Sequence, residues 1–148
     1  MNVLLDTCVF IDFLGRKQPF YSQAEQIVAA GYFGDAKLWV SVQSIKDAFY
    51  VLRRFVDADK VQGAIEQALT VICPVDTTGQ DALRALHLRW TDFEDCMISV
   101  CAEKAKADCI ITRDTKGFVR SSVPAISPEE WLQKQHDQGI SYGAVDVS

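Results

Sequence analysis

The chain has 148 residues, 49% of them hydrophobic, and a formal net charge of −5. That length and apolar content provide one domain with a real core and leave no need for a second, while the acidic balance excludes a protein coated in phosphate-binding Lys and Arg. The cysteines Cys8, Cys73, Cys96, Cys101 and Cys109 are odd in number, show no C-x-x-C pairing and mostly sit in apolar runs, so neither a disulfide framework nor a zinc site is indicated.

The chain opens on "NVLLDTCVFIDFL". Asn2–Leu5 predicts a buried strand, and the stretch has no basic flank and is interrupted by Asp6 and Asp12, so it fits neither a signal peptide nor a membrane span. A soluble, cytoplasmic protein is the expectation. Asp6 follows the strand directly. An ionised carboxylate beside a core costs on the order of several kcal/mol unless it is paired, hydrogen-bonded or bound to a metal.

Further along, a helix is predicted from Phe20 to Ala30, stopped by Gly31, and then a strand over Lys37–Ser41. Val42 to Val56 predicts a helix with its core stripe at Val42, Ile45, Phe49, Leu52 and Val56, and Asp47 points well away from that stripe. A helix over Ala58 to Leu69, a strand over Thr70–Val75 and a helix over Gln80 to Arg89 follow. Phe93 to Ala107 predicts a helix in which Asp95, Ile98, Ala102 and Ala105 share one face, with Asp92 placed as an N-cap. Cys109–Thr112 predicts a fourth strand and "VPAI", Val123–Ile126, a weak fifth. In "SPEEWLQKQ", Ser127 caps a last helix with Pro128 at its first position. The domain is expected to span 1–138, and 139–148, without periodicity, to form a flexible tail.

Short apolar strands alternating with helices predict an α/β fold on a mostly parallel sheet of four or five strands. In such a sheet the loops after the carboxyl ends of the strands gather along one edge, where ligands bind. Asp6 follows the first strand and Asp114, in "CIITRDTKGF", the fourth. Each acid alone has an ordinary alternative: a turn for Asp6 and Asp114, a solvated helix face for Asp47, a cap for Asp92. As a set, acids from separated segments on one edge repel one another, and bound cations relieve that repulsion. His87, on an amphipathic helix, and His136, near the C-terminus, do not support a His-based mechanism. Cys8 has no His placed as its base and reads as a core or rim thiol.

"LLDTCVFIDFL", "SIKDAFYVLRR", "DFEDCMISVCAEKAKADCIITRD" and "TKGF", in this order from Asn2 to about Trp131, resemble a PIN-domain protein of the kind that includes bacterial VapC-like toxins. The resemblance implies a three-layer α/β/α fold and a divalent-metal-dependent endoribonuclease using Mg²⁺ or Mn²⁺. Asp6, Asp47, Asp95 and Asp114 match the family's acids, as catalytic groups and metal ligands, with Asp92 as a helper; Thr112 matches a hydroxyl residue near the metal. It also implies a small antitoxin partner, a homodimer, and a toxin–antitoxin setting. Two positions depart from the family: Asp47 stands where Glu is common, and Gly117 where many relatives carry another Asp.

RNA has to be held despite the acidic balance. Arg16, Lys17, Arg53, Arg54, Arg113, Lys116 and Arg120 are candidate phosphate contacts, and Arg113 and Lys116, which flank Asp114, are assigned with Thr112 to substrate binding. Among the tryptophans, Trp39 and Trp131 read as core, while Trp90 is left open between packing and base stacking. A haloacid dehalogenase-like phosphotransferase would want an Asp where Cys8 stands, and a receiver domain an acid pair and a late Lys that are not matched. The remaining rival is a catalytically weak or inactive PIN-like module that binds RNA or protein.

Overall fold

A computed structural model describes residues 1–143. The strands β1 (Asn2–Leu5), β2 (Lys37–Ser41), β3 (Ile72–Val75), β4 (Cys109–Ile111) and β5 (Ala125–Ile126) form one sheet in the order β3-β2-β1-β4-β5. Every neighbouring pair is parallel. Crossover helices cover both faces, which is why the central strands β1 and β4 are apolar throughout except at Asn2. Alternation sends successive side chains to opposite cores. Val3 and Leu5 enter one apolar cluster and Leu4 the other; Leu38 and Val40 join the first, and Trp39 packs on the second.

The first face is covered by α1 (Thr7–Leu14), α2 (Tyr21–Tyr32), α3 (Val42–Leu52), α4 (Ala58–Ala68) and α7 (Pro128–Asp137), the second by α5 (Gly79–Leu88) and α6 (Phe93–Lys104). This is the three-layer α/β/α arrangement that the sequence predicts, with the sheet wholly parallel. Among the described residues no helix is long and apolar enough to cross a membrane.

Several boundaries differ from expectation for identifiable reasons. No helix was expected at α1, whose eight residues begin immediately after Asp6. Gly31 does not stop α2, which continues to Tyr32; a Cβ there would meet Leu38 Cδ1 at 2.6 Å, so the glycine lets α2 lie close on β2. In α3, Ser44 and Ala48 are fully buried, whereas Val42 and Val56, assigned to the core stripe, are exposed. Small residues face inward because Ser44 bonds to Thr7 Oγ1 (2.6 Å) and Ser41 Oγ (2.9 Å), tying α3 to the start of α1. β3 begins at Ile72 rather than Thr70, since the amides of Thr70 and Val71 turn back to Gln67 and Ala68 carbonyls and close α4.

The stretch after α7, expected to be a flexible tail, is packed at its beginning. Ile140 lies on the first core, and buried Tyr142 donates its hydroxyl to Asp35 Oδ2 at 2.9 Å. Two apolar side chains and one buried hydroxyl suffice to hold it, a pattern too short to show periodicity. Residues 144–148 lie outside the described residues.

Candidate active site

From β1 the chain builds outward through β2 and β3 over one face, then crosses to β4 on the other side of β1 over the opposite face. β1 and β4 therefore flank the point at which the connections diverge, where a crevice opens beyond the carboxyl ends of the strands.

Asp6 is the first residue past β1. Its amide donates to the Ile111 carbonyl (3.0 Å), which extends the ladder between the two central strands by one bond. Its Oδ1 accepts from Thr7 N (2.8 Å) and so caps α1. Its Oδ2 accepts from Thr112 Oγ1 (2.7 Å), with Cys8 Sγ 3.7 Å away. The Thr112 hydroxyl also accepts from the Asp114 amide at 3.0 Å. Thr112 thus links the acid after β1 to the acid after β4. It is fully buried, and its hydroxyl orients two carboxylate-bearing segments.

Asp95 enters from α6. Asp92 occupies the N-cap of that helix and its Oδ1 accepts from Asp95 N at 3.0 Å, the capping role weighed from the sequence. Across from α6 lies the short 3₁₀ turn Thr115–Phe118, and a Cβ added at Gly117 would overlap Asp95 Oδ2 and stand 3.3 Å from Asp114 Oδ2. The glycine leaves a shared space into which both carboxylates project.

Electrostatics mark the same grouping. Burial pushes Asp6 above the ordinary carboxylate range, partly offset by the bonds from Thr112 and Thr7, with Asp114 adding to the rise. Asp95 is pushed up to about 7, first by burial and then by the charges of Asp92, Asp6, Asp114 and Glu94. These acids repel one another and no cationic side chain is among the causes acting on either. A cleft of about 290 Å³ opens over them, lined by Asp6, Thr7, Cys8, Gln43, Asp47 and Asp95 among others. Asp47 stands on its α3 wall, half-exposed and 4.0 Å from Lys46 Nζ. Glu94 and Gln43 also line the cleft and were not singled out from sequence, although the acid run "DFED" was a signal for Glu94.

Among the described residues no three His, Cys, Asp or Glu side chains are drawn into a ready-made metal cage. The acids face a common space rather than enclosing a point. Their donor set, carboxylate oxygens, suits Mg²⁺ or Mn²⁺, hard cations that keep several waters and need few protein ligands. Asp6, Asp95 and Asp114 are the residues that would hold such an ion.

The remaining assignments divide. Arg113, expected at a phosphate, is committed elsewhere: Nε and Nη2 donate to buried Asp12 at 2.8 and 3.3 Å, and its guanidinium lies 3.8 Å from the Phe20 ring centroid. Lys116 is exposed beside Asp114. Arg120 donates to the Leu88 and Arg89 carbonyls and covers Trp90, which packs edge-on against Phe118. Cys8 lines the cleft, but burial and Asp6 push its thiol up and away from nucleophilic use. His87 and His136 are exposed, outside the cleft.

Fold and site together define a parallel α/β/α domain that gathers carboxylates at its switch point. Residues 2–116 match the family model described as PIN domain, and the chain belongs to that family. Solved structures share the fold. That of VapBC2 from Rickettsia felis bound to a promoter DNA fragment is 14% identical, covering 86% of this chain and 98% of that one with a TM-score of 0.64. A toxin–antitoxin complex from Klebsiella pneumoniae is 20% identical over 85% of this chain and 97% of that one, with a TM-score of 0.63. VapC20 of Mycobacterium tuberculosis, described as a toxin that cleaves the sarcin–ricin loop, is 14% identical over 73% of this chain and 86% of that one, with a TM-score of 0.60. No curated protein is significantly similar in sequence.

Proposed function

We propose that the protein is a divalent-metal-dependent endoribonuclease and the toxin of a toxin–antitoxin pair. The observation that carries this reading is the grouping of Asp6, Asp95 and Asp114 from three separate elements: Asp95 and Asp114 share the space beside Gly117, and Asp6 lines the cleft with Asp95 and opposes its ionisation. Membership of the PIN family and a fold shared with toxins of such pairs, one of them RNA-cleaving, support it.

A hard cation bound there supplies Lewis acidity toward a phosphodiester and a water of lowered pKa. The protein supplies the rest. Asp6, held by Thr112 and Thr7, and Asp114, whose amide Thr112 fixes, present oxygens in set directions. Asp95 completes the group from α6, positioned by the Asp92 cap. Asp47 faces them across the cleft, with reach for a water-mediated contact, and Lys116 stands where it can attract a substrate phosphate. A small antitoxin protein covering the acidic groove, a homodimer and a cytoplasmic setting complete the proposal.

Cleavage of mixed structured and single-stranded RNAs by purified protein, with Mg²⁺, Mn²⁺ or EDTA, tests it. Cleavage is expected with either cation, to vanish in EDTA, and to be abolished in Asp6→Asn and Asp95→Asn that melt as folded proteins. The second reading, a binding module with little or no activity, draws on the lack of a ready-made three-ligand cage among the described residues. Cation binding by the wild type with every RNA left intact would decide for it.

A further inference from the structure

The face of α3 that forms one wall of the cleft does not end there. Gln43 and Asp47 line the cleft, and Tyr50 follows Asp47 by three residues on the same helical face, about 5 Å along the axis, while Arg53 caps α3 and Arg54 lies in the turn that follows. Tyr50 is 52% exposed, and the guanidiniums of Arg53 and Arg54 each lie 5.1 Å from its ring centroid. Phe55, next in the chain, is 80% exposed, the most open aromatic ring among the described residues. Neither arginine takes part in an ion pair among the described residues, although Asp57 and Asp59 follow closely.

We propose that Tyr50, Arg53, Arg54 and Phe55 form a binding ridge for single-stranded RNA that leads into the cleft. The proposal rests on the ribonuclease reading and adds the form of the substrate. Arg53 and Arg54 contact successive phosphates, and Tyr50 holds both guanidiniums out for them by cation–π contact. Phe55 offers the face on which an unpaired base stacks, a contact that a duplex, with its bases already stacked, cannot use. Charge complementarity selects nucleic acid over an apolar partner. Continuity with the cleft wall selects a strand that is being delivered to the acids.

The test is fluorescence anisotropy of a fluorescein-labelled single-stranded RNA of about 12 nucleotides, in EDTA so that binding is read apart from cleavage, across a salt series. Wild type is expected to bind the single strand more tightly than a duplex of the same sequence. R53Q/R54Q is expected to bind about tenfold more weakly at low salt, with the slope of log K against log salt reduced by about 1.4, the value for two single-strand phosphate contacts. F55A is expected to lose affinity with the slope unchanged. Variants that bind as wild type does, or that turn a wild-type dimer into a monomer by light scattering, overturn the ridge, the second by making it a self-interface. Loss of binding in the variants together with a wild type that cleaves nothing would uphold the ridge and sink the nuclease.

Discussion

At Asp95, burial and four neighbouring carboxylates all oppose ionisation, and the group titrates near 7 instead of its ordinary 3.8. The folded chain therefore holds this proton more firmly than the unfolded chain, and native stability falls as pH rises from about 4 to about 7. Asp95→Asn removes the charge without changing the shape. In EDTA at about pH 8 it is expected to raise the Tm by about 2–4 °C, a gain of ~1 kcal/mol once solvent screening of a half-exposed group is allowed for. Melts near pH 4 should show no difference, and a variant that melts below wild type at pH 8 would remove the repulsion argument. Gly117 makes the complementary case. Gly117→Ala puts a methyl group where Asp95 Oδ2 lies, and because that oxygen ends a movable side chain, the fold should barely respond. RNA cleavage should drop at least tenfold while the melting curve stays within about 2 °C of wild type; the reverse pattern would assign Gly117 to packing rather than to the site.

The elements differ in how much of themselves the sequence discloses. β1 and β2 stand at the predicted residues because a strand buried on both faces is a short apolar run, here Val3–Leu5 and Leu38–Val40, and the polar residues Asn2, Asp6, Lys37 and Ser41 mark where each run stops. Asp95 was legible for a related reason: it heads a stripe, Ile98, Ala102 and Ala105, that α6 turns to the core. α1 was not legible. "TCVFIDFL" is apolar nearly all round and rich in β-branched residues, so it shows no helical period, and its start is fixed by Asp6, whose turn or capping role was weighed without a helix to follow it. The bonds of Thr112 and Arg113 were not legible either, since their partners Asp6 and Asp12 lie 106 and 101 residues away and no local pattern reports them. The Arg113–Asp12 pair pins α1 to the segment carrying Asp114, so it should matter to stability. Arg113→Met strands a carboxylate that is almost wholly buried and is expected to cost about 3 kcal/mol by urea denaturation at neutral pH. Burial already holds Asp12 above the ordinary carboxylate range, and without Arg113 it rises further; the cost should shrink as pH falls and Asp12 takes up a proton. A cost independent of pH would mean that Arg113 acts through its packing on Phe20 alone.

Across the whole molecule, the net charge of −5 and the acid-lined cleft are one matter rather than two. A domain of this size has a stability of only about 5–15 kcal/mol. Unpaired carboxylates pressed together at the switch point subtract from it, and the two apolar clusters that flank the sheet must carry the difference. A cation held by Asp6, Asp95 and Asp114 binds the folded chain and has no such site in the unfolded one, so it should return stability to the entire domain by mass action. At about a hundredfold excess over its Kd the gain is ~2.7 kcal/mol, which a chain of this length shows as a Tm rise of about 5–10 °C. Mg²⁺ and Mn²⁺ should both produce it. The rise should be larger at pH 8 than at about pH 6, because binding must expel the proton that Asp95 keeps up to about 7. Asp6→Asn should melt at the same temperature with and without the cation. If wild type shows no cation-dependent rise at either pH while a neutral osmolyte raises its Tm normally, the carboxylates do not form a cation site, and the repulsion among them has another use.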